Sequence, residues 1–514
     1  MAAIAVAAVV VAPLLVLPAS FVGQDAALDQ IAASLLPEAL RASLVLAAGV
    51  GAGTLLLGGG LAALVSFYEF PGRRWLDWAL VLPLAMPAYV LVYVLLGQYD
   101  ESGPFGGRLP EIRSTGGAIA VLTVVLYPYV YVLARGSFLG QSRQALEAAR
   151  TLGLSYSAAV RRVALPLARP ALAGGVALAV MEALADFGAV NLLNYRALTD
   201  AIYRVWYGTF DQAAALQLAT VLLALAAGLV ALEQFVRGQA RYHQALSRGE
   251  AVIPRRLPRL AGWLAAALPT LLLVGVVVAP LVQLLAWAVG SLGEGASAEA
   301  LARAAVNSLL LGAIAAVVGV LAATVVAYGP RAQPSRLAAA AGRVSALGYA
   351  IPGTVVAVAV YVPLAWLDAR LDDLAGVGLL FTGTAVGLVL AYLVRFHALA
   401  LFSVQERMGR ISPSLDEAAR SLGADRSRLL ADVHLPLLWP GMAIAALLVF
   451  VEVVKELPAT ALLRPLGGDT LAIAVWEATK DSRFDTAALP ALLIVAAGLV
   501  PVVLAIRLAR SGAA

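Results

Sequence analysis

Residues 147–175 read EAARTLGLSYSAAVRRVALPLARPALAGG, and residues 417–442 read EAARSLGADRSRLLADVHLPLLWPGM. Glu147, Gly153, Pro166 and Pro170 recur as Glu417, Gly423, Pro436 and Pro440, at a constant offset of 270. The same offset carries Glu182 to Glu452, Asp186 to Glu456, Trp206 to Trp476 and Asp211 to Asp481. Upstream the offset is 265, pairing Ser43 with Ser308 and Pro87 with Pro352. Self-similarity at a fixed offset marks a repeated structural unit. The period here is a whole domain, so the chain reads as a tandem duplication.

What is duplicated follows from composition. Of the 514 residues, 62% are hydrophobic and 13% charged, and mean hydropathy is +0.89. Soluble domains carry about 25% charged residues. A bilayer-spanning helix needs ~20 mostly apolar residues. Twelve such runs are expected, near 2–22, 42–68, 77–97, 117–139, 171–192 and 213–235, then 261–290, 305–328, 344–366, 378–403, 441–462 and 486–507. The first has no Lys or Arg before its apolar core, so it reads as a retained helix and not a signal peptide. Six runs per copy is an even number, so both copies enter the membrane the same way, related by an axis along its normal. A substrate path is expected between them. The fold class is thus all-α and polytopic: a first unit over 1–235 with a polar loop at 140–170, a basic linker at 236–260, and a second unit over 261–514 with its loop at 404–440.

Loop charges orient the runs. The loop after the fourth holds Arg135, Arg143, Arg150, Arg161, Arg162 and Arg169, and the one after the eighth holds Arg331, Arg336 and Arg343. Asp25, Asp29 and Glu38 follow the first run, and Asp368, Asp372 and Asp373 follow the ninth. Basic bias marks the cytoplasmic side, which places both termini there. The net charge of +5 is Arg in membrane-flanking loops, so no nucleic-acid partner is expected and the bilayer itself is the surrounding phase.

Several chemistries are excluded. There is no cysteine, and His243, His397 and His434 are scattered, so no metal site is assigned. Lys455 and Lys480 are the only lysines, and neither lies in a Gly-Lys-[Ser/Thr] loop. The chain therefore has no phosphate-binding loop of its own and is not read as an enzyme; any ATP hydrolysis belongs to another subunit.

The repeated loop has a local physical reading. Glu147, Ala148 and Ala149 begin a short helical run that Gly153 breaks, because glycine tolerates positive φ. A second short helix runs to Pro166, which stops it. Glu417, Ala418, Ala419, Gly423 and Pro436 repeat the pattern. The product is a helical elbow in each half, two equivalent knobs for a two-fold partner. A connector lying on the bilayer explains the arginines but not the repeated Glu, Gly and Pro spacing.

This EAA-x-x-x-G segment, followed by Leu-Pro, is similar to the signature loop of permease subunits of binding-protein-dependent ABC importers. The resemblance implies two six-helix units of the type I ABC-importer kind in tandem. It implies that the elbows are coupling helices seated on two copies of an ABC ATPase, which holds the ATP and Mg2+. It also implies a periplasmic or lipid-anchored substrate-binding protein and an inner-membrane location. MEALADFGAV at 181–190 and VEVVKELPATALLRPLGGDTLAIAVW at 451–476 look like the ferric-iron permeases, which also fuse both halves. Fused thiamine permeases, or permeases for another small solute, are the alternative within the class. A secondary transporter of the major facilitator type is the alternative outside it, but residues 69–76, EFPGRRWL, do not match its loop.

Glu182 and Glu452 fall inside apolar runs, and Asp186 and Glu456 follow at helical-turn spacing, so each pair is expected to share a face. Intramembrane acids usually face a bundle interior or water. One reading makes these four a stripe along the translocation path. The other makes them braces for helices broken near Gly188 and Pro458, with Lys455 neutralising one of them. Topology is testable at once: single cysteines placed in 23–41 and in 236–260 of this cysteine-free chain are expected to react with an impermeant thiol reagent from opposite sides, and labelling of both from outside overturns the assignment.

Overall fold

A computed structural model describes the chain apart from residues 1, 22–24, 100–110, 142, 238–253, 292–297, 333–334, 347, 349–350, 377 and 512–514. The basic linker expected at 236–260 lies largely outside the described residues. Nine described helices are long and apolar enough to cross a membrane, from Ala2–Ala19 to Leu429–Val454. Two more candidate spans are bent pairs: Arg73–Ala85 with Ala88–Tyr99, at 87°, and Tyr156–Leu167 with Arg169–Ala185, at 66°. The shorter apolar helix Ala488–Pro501 takes the place of the last expected run, so each expected run has a helical counterpart.

The boundaries differ where proline and a separate helix intervene. The expected run 344–366 is a helix over Gly353–Ala375, with Pro352 at its N-cap. The residues before it form an independent amphipathic helix, Arg336–Ser345, capped by Ser335. Pro352 cannot donate within a helix, so it starts one. The acids expected in the following loop lie instead on the last turns of Gly353–Ala375. Asp368 is buried there and accepts from the amides of Leu380, Phe381 and Thr382 and from the Thr382 hydroxyl at 2.6 Å. It ties down the loop leading to Ala385–Arg410.

Packing cuts across the sequence halves. One compact unit comprises Met1–Leu36, Ala201–Leu223 and Gly295–Glu477; the other comprises Pro37–Asp200, Ala224–Glu294 and Ala478–Ala514. Each unit is thus built on the middle helices of one half and takes leading and trailing segments from the other. In the first unit, Ala2–Val11 packs on the helices Ala298–Ala332 and Arg336–Ser345. Its buried residues are Ala3, Ala7 and Val10. Small side chains permit the close approach that holds helices together where lipid is as apolar as leucine. In the second unit, Ala279–Ser291 packs on Ala488–Ser511, and Tyr93, Trp287 and Phe484 form an aromatic cluster in which Tyr93 meets Trp287 edge-on. A two-residue parallel pairing of Tyr68–Glu69 with Arg255–Arg256 ties the end of the linker to the loop after the second helix.

The repeat is visible in the bonding. Ser43 Oγ accepts from the amide of Leu198, which opens the short helix Leu198–Arg204. Ser308 Oγ accepts from the amide of Leu471, which opens Leu471–Lys480. Both serines are buried, and each satisfies a helix-start donor that has no intrahelical partner.

Glycine permits a close crossing of Arg169–Ala185 on Thr115–Leu139. A Cβ on Gly175 would lie 2.7 Å from the Val130 Cα and 3.2 Å from the Tyr129 carbonyl. Gly228 has nothing within 4 Å of that position. Alanine gains up to ~1 kcal/mol in a helix, whereas overpacking against backbone costs about 1–3 kcal/mol. Gly175→Ala is therefore expected to lower the thermal unfolding temperature in detergent, and Gly228→Ala to leave it unchanged or raised.

Candidate functional site: the paired elbows and the broken helices

Both elbows form, and they form alike. The first runs through the helix Arg143–Thr151, a turn at Gly153, the short helix Tyr156–Ala159 and a wide π turn over Val160–Ala164. The second runs through Pro413–Ser421, a turn at Gly423, Arg426–Arg428 and a wide turn over Leu429–His434. Gly153 has φ +91° and Gly423 φ +86°, the left-handed conformation expected from the sequence. The amides of Leu154 and Ala424 bond to the carbonyls of Ala149 and Ala419, and those of Gly153 and Gly423 to Arg150 and Arg420. This pair of bonds is the Schellman closure, which needs a residue at positive φ. Ser155 and Asp425 then cap the next helix by accepting from Ala158 and Arg428.

The wide turns have a cause in the Leu-Pro step. Proline lacks an N–H, and its ring crowds the carbonyl four residues back. The residue before each proline, Leu165 or Leu435, bonds five residues back, to Val160 or Leu430. The widened ring takes up the crowding without ending the helical path.

Glu147, Ala148, Glu417 and Ala418 are exposed, Ala149 is buried, Ala419 and Pro166 are half-buried, and Pro436 is exposed. The tips carry leucines that the sequence reading passed over: Leu152 is 85% exposed and Leu422 88%. They match at the offset of 270, so the repeat held the signal. Each elbow thus presents a glutamate, an arginine and a bare leucine, a combination suited to protein contact.

The acids are divided by the structure. The helices end at Ala185 and Val454, so Asp186 and Glu456 do not continue the faces of Glu182 and Glu452, as the sequence spacing suggested. They stand in the breaks. Asp186 Oδ1 accepts from the amides of Ala189 and Val190 at 2.8 and 3.3 Å. Glu456 accepts from the amides of Ala459 and Thr460 at 2.9 and 3.0 Å and from the Thr460 hydroxyl at 2.7 Å. Each carboxylate supplies the partner that the first amides of Gly188–Leu192 or Pro458–Leu463 lack. Glu456 is buried and also receives Arg395 Nη1 at 2.7 Å. Arg395, a lone charge within an apolar run, escaped the sequence reading although its position marked it. So did Asp200, buried and accepting from Asn191 Nδ2.

Glu452 is half-exposed and pairs with Lys455 at 2.7 Å, the neutralisation considered from sequence. Glu182 is half-buried in the last turn of Arg169–Ala185. Among the described residues, no three acidic or histidine side chains gather to hold a metal ion.

Broken apolar helices, two duplicated elbows and intramembrane charges define a membrane-transport subunit built from two homologous halves. The model of the family described as binding-protein-dependent transport system inner membrane component matches residues 55–237 and again 315–511. The chain belongs to that family, as a fused permease subunit of an ABC importer. It is 26% identical over 493 residues to the Fe(3+)-transport system permease protein FbpB 2 of Haemophilus influenzae, covering 95% of this chain and 93% of that one. It is 35% identical over 177 residues to a probable molybdenum ABC transporter permease of Haloferax volcanii, 34% of this chain and 65% of the relative. It is 38% identical over 139 residues to the sulfate permease CysW of Escherichia coli, 26% of this chain and 48% of the relative.

Removing one partner of a buried ion pair costs about 3–5 kcal/mol, because the other charge stays buried, whereas an exposed pair is worth about 1 kcal/mol or less. Glu456→Gln is therefore expected to lower the yield and thermal stability of the purified chain sharply, and Glu452→Gln to leave both near the parent values. Equal stability of the two variants would show that Arg395 does not depend on Glu456.

Proposed function

We propose that this chain conducts ferric iron, delivered by a periplasmic or lipid-anchored binding protein, into the cytoplasm, driven by a separate ABC ATPase. The observation that carries the substrate is the end-to-end similarity to a ferric-iron permease, which spans both halves and the linker. In this reading the elbows face the cytoplasm, as the Arg bias orients them, and seat on two ATPase copies. Closing of the ATPase pair pushes Leu152 and Leu422 with the turns behind them. The Schellman closure makes each turn stiff, so the push reaches the attached membrane helices as a displacement.

Glu182 and Glu452 are the proposed path residues. Asp186 and Glu456 serve the path indirectly, by keeping the helix breaks open and their amides satisfied. A hard trivalent cation favours oxygen donors, and two carboxylates suit passage better than a closed cage would. A second reading, import of an oxyanion such as molybdate or sulfate, is favoured by the higher identity over shorter stretches to the molybdenum and sulfate permeases.

The test uses the chain reconstituted with its ATPase and binding protein in vesicles, offered radiolabelled ferric iron, molybdate and sulfate in turn. Iron uptake that depends on ATP is expected, and oxyanion uptake without iron uptake would transfer the assignment. Gly153→Val and Gly423→Val force a β-branched residue into positive φ, which is strongly disfavoured. Each is expected to leave membrane insertion intact while abolishing stimulation of the ATPase. Full stimulation with both glycines replaced would remove the elbows from coupling.

A further inference from the structure

The two elbows have the same backbone but are not anchored in the same way. In the second, Asp416 is the buried residue of the helix Pro413–Ser421. Its Oδ2 accepts from Arg331 Nε at 2.8 Å and its Oδ1 from Arg331 Nη2 at 2.9 Å, a two-pronged guanidinium–carboxylate pair. The same Oδ1 lies 2.9 Å from His434 Nε2. Arg331 Nη1 donates further to the carbonyls of Met408 and Ile411, and Nη2 to that of Ser412. His434 is fully buried and stacks edge-on against Tyr328. One guanidinium thus joins the end of the membrane helix Ala298–Arg331, the corner after Ala385–Arg410 and the start of the elbow. The histidine joins that start to the elbow's exit.

Among the described residues, the first half lacks this network at the matching positions; its own two-pronged pair, Arg135 with Asp77, joins Thr115–Leu139 to Arg73–Ala79 and not to the elbow. The positions matching Arg331, Asp416 and His434 at the two offsets are Ser66, Leu146 and Ala164. All three are buried, and Ser66 Oγ has no hydrogen-bond partner among the described residues. The first elbow is held by packing of Leu146, by Gln141 Nε2 donating to the Ala164 carbonyl at 2.9 Å, and by Tyr156 Oη donating to the Phe67 carbonyl at 3.0 Å. Charge-assisted bonds are short and directional, whereas apolar burial is non-directional and tolerates sliding.

We infer that Arg331, Asp416 and His434 are positioning residues that lock the second elbow to its membrane helices, so that the second elbow transmits the ATPase stroke rigidly while the first slips. The inference rests on the coupling role proposed above and deepens it: the duplicated transmission is functionally asymmetric. Arg331 holds the Asp416 carboxyl down at about 2, so the Arg331–Asp416 pair is ionised at neutral pH.

Four exposed sites at matching positions of the repeat allow a direct test in the complete complex. Spin labels on Ser421→Cys and Leu321→Cys report the second elbow against its helix, and labels on Thr151→Cys and Leu56→Cys report the first. In the parent, the second pair is expected to give one narrow distance that persists on ATP binding, and the first pair a broader one that shifts. Arg331→Met with Asp416→Leu removes both charges of the pair, so neither is left buried alone, and releases His434 Nε2 and the carbonyls of Met408, Ile411 and Ser412. Its second-elbow distance is expected to broaden to match the first, and ATP hydrolysed per substrate transported to rise about tenfold, the order of a charge-assisted hydrogen bond. Arg331→Lys keeps the charge without the fork and serves where the double variant fails to assemble; intermediate broadening is expected. An equally narrow first pair in the parent, or an unbroadened second pair in either variant, overturns the inference. Failure of the coupling role itself reads out separately, as unaltered ATPase stimulation in Gly423→Val.

Discussion

A backbone amide released in apolar surroundings must find a partner, because no water is there to take it and each orphan costs several kcal/mol. Much of this structure follows from how that demand is met. Two of its helices stop, after Ala185 and after Val454, and restart as short helices. Asp186 and Glu456 take the freed amides on their carboxylates, and Ser43 and Ser308 take those of the next short helices. Without these acceptors the breaks could not persist, and uninterrupted helices would fill the places where the chain now turns. The acids are costly in such a setting, and they stand at matched positions where the backbone geometry depends on them. In the second half the bargain is extended by Arg395, which neutralises Glu456 and lets it be fully buried.

Outside the apolar spans the same problem is solved by different means. The elbows close their helix ends with glycine at positive φ and a Schellman pair, and they pass the Leu-Pro step by widening one turn. Every device recurs in both halves, down to the N-caps Ser155 and Asp425. What varies is the layer beneath. Leucine packing and the neutral hydrogen bonds of Gln141 and Tyr156 support one elbow, and a guanidinium, a carboxylate and an imidazole support the other. The exposed face of the elbow is preserved while the internal mounting differs, a divergence open to two copies fused in one polypeptide. Two separate but identical subunits could not diverge in this way.

The charges at the helix breaks are mostly committed. Asp186, Glu456 and Arg395 bond to the protein itself, and Glu452 is paired with Lys455 by a half-exposed contact.

The sequence by itself determined the membrane class, the tandem relation, the number of apolar runs and the shape of the elbows. Each of these depends on neighbouring residues: run length for spans, Gly153 and Gly423 for the turns, Pro166 and Pro436 for the stops. Only the tertiary structure decided which helices pack together, with Met1–Leu36 joining the middle helices of the second half. An apolar run records that a helix leaves water, but lipid and a neighbouring helix satisfy it almost equally. Only the tertiary structure, too, assigned Asp186 and Glu456 to backbone amides and paired Asp416 with an arginine 85 residues away. A carboxylate in a sequence carries its charge, but its partner is chosen by where the chain folds back.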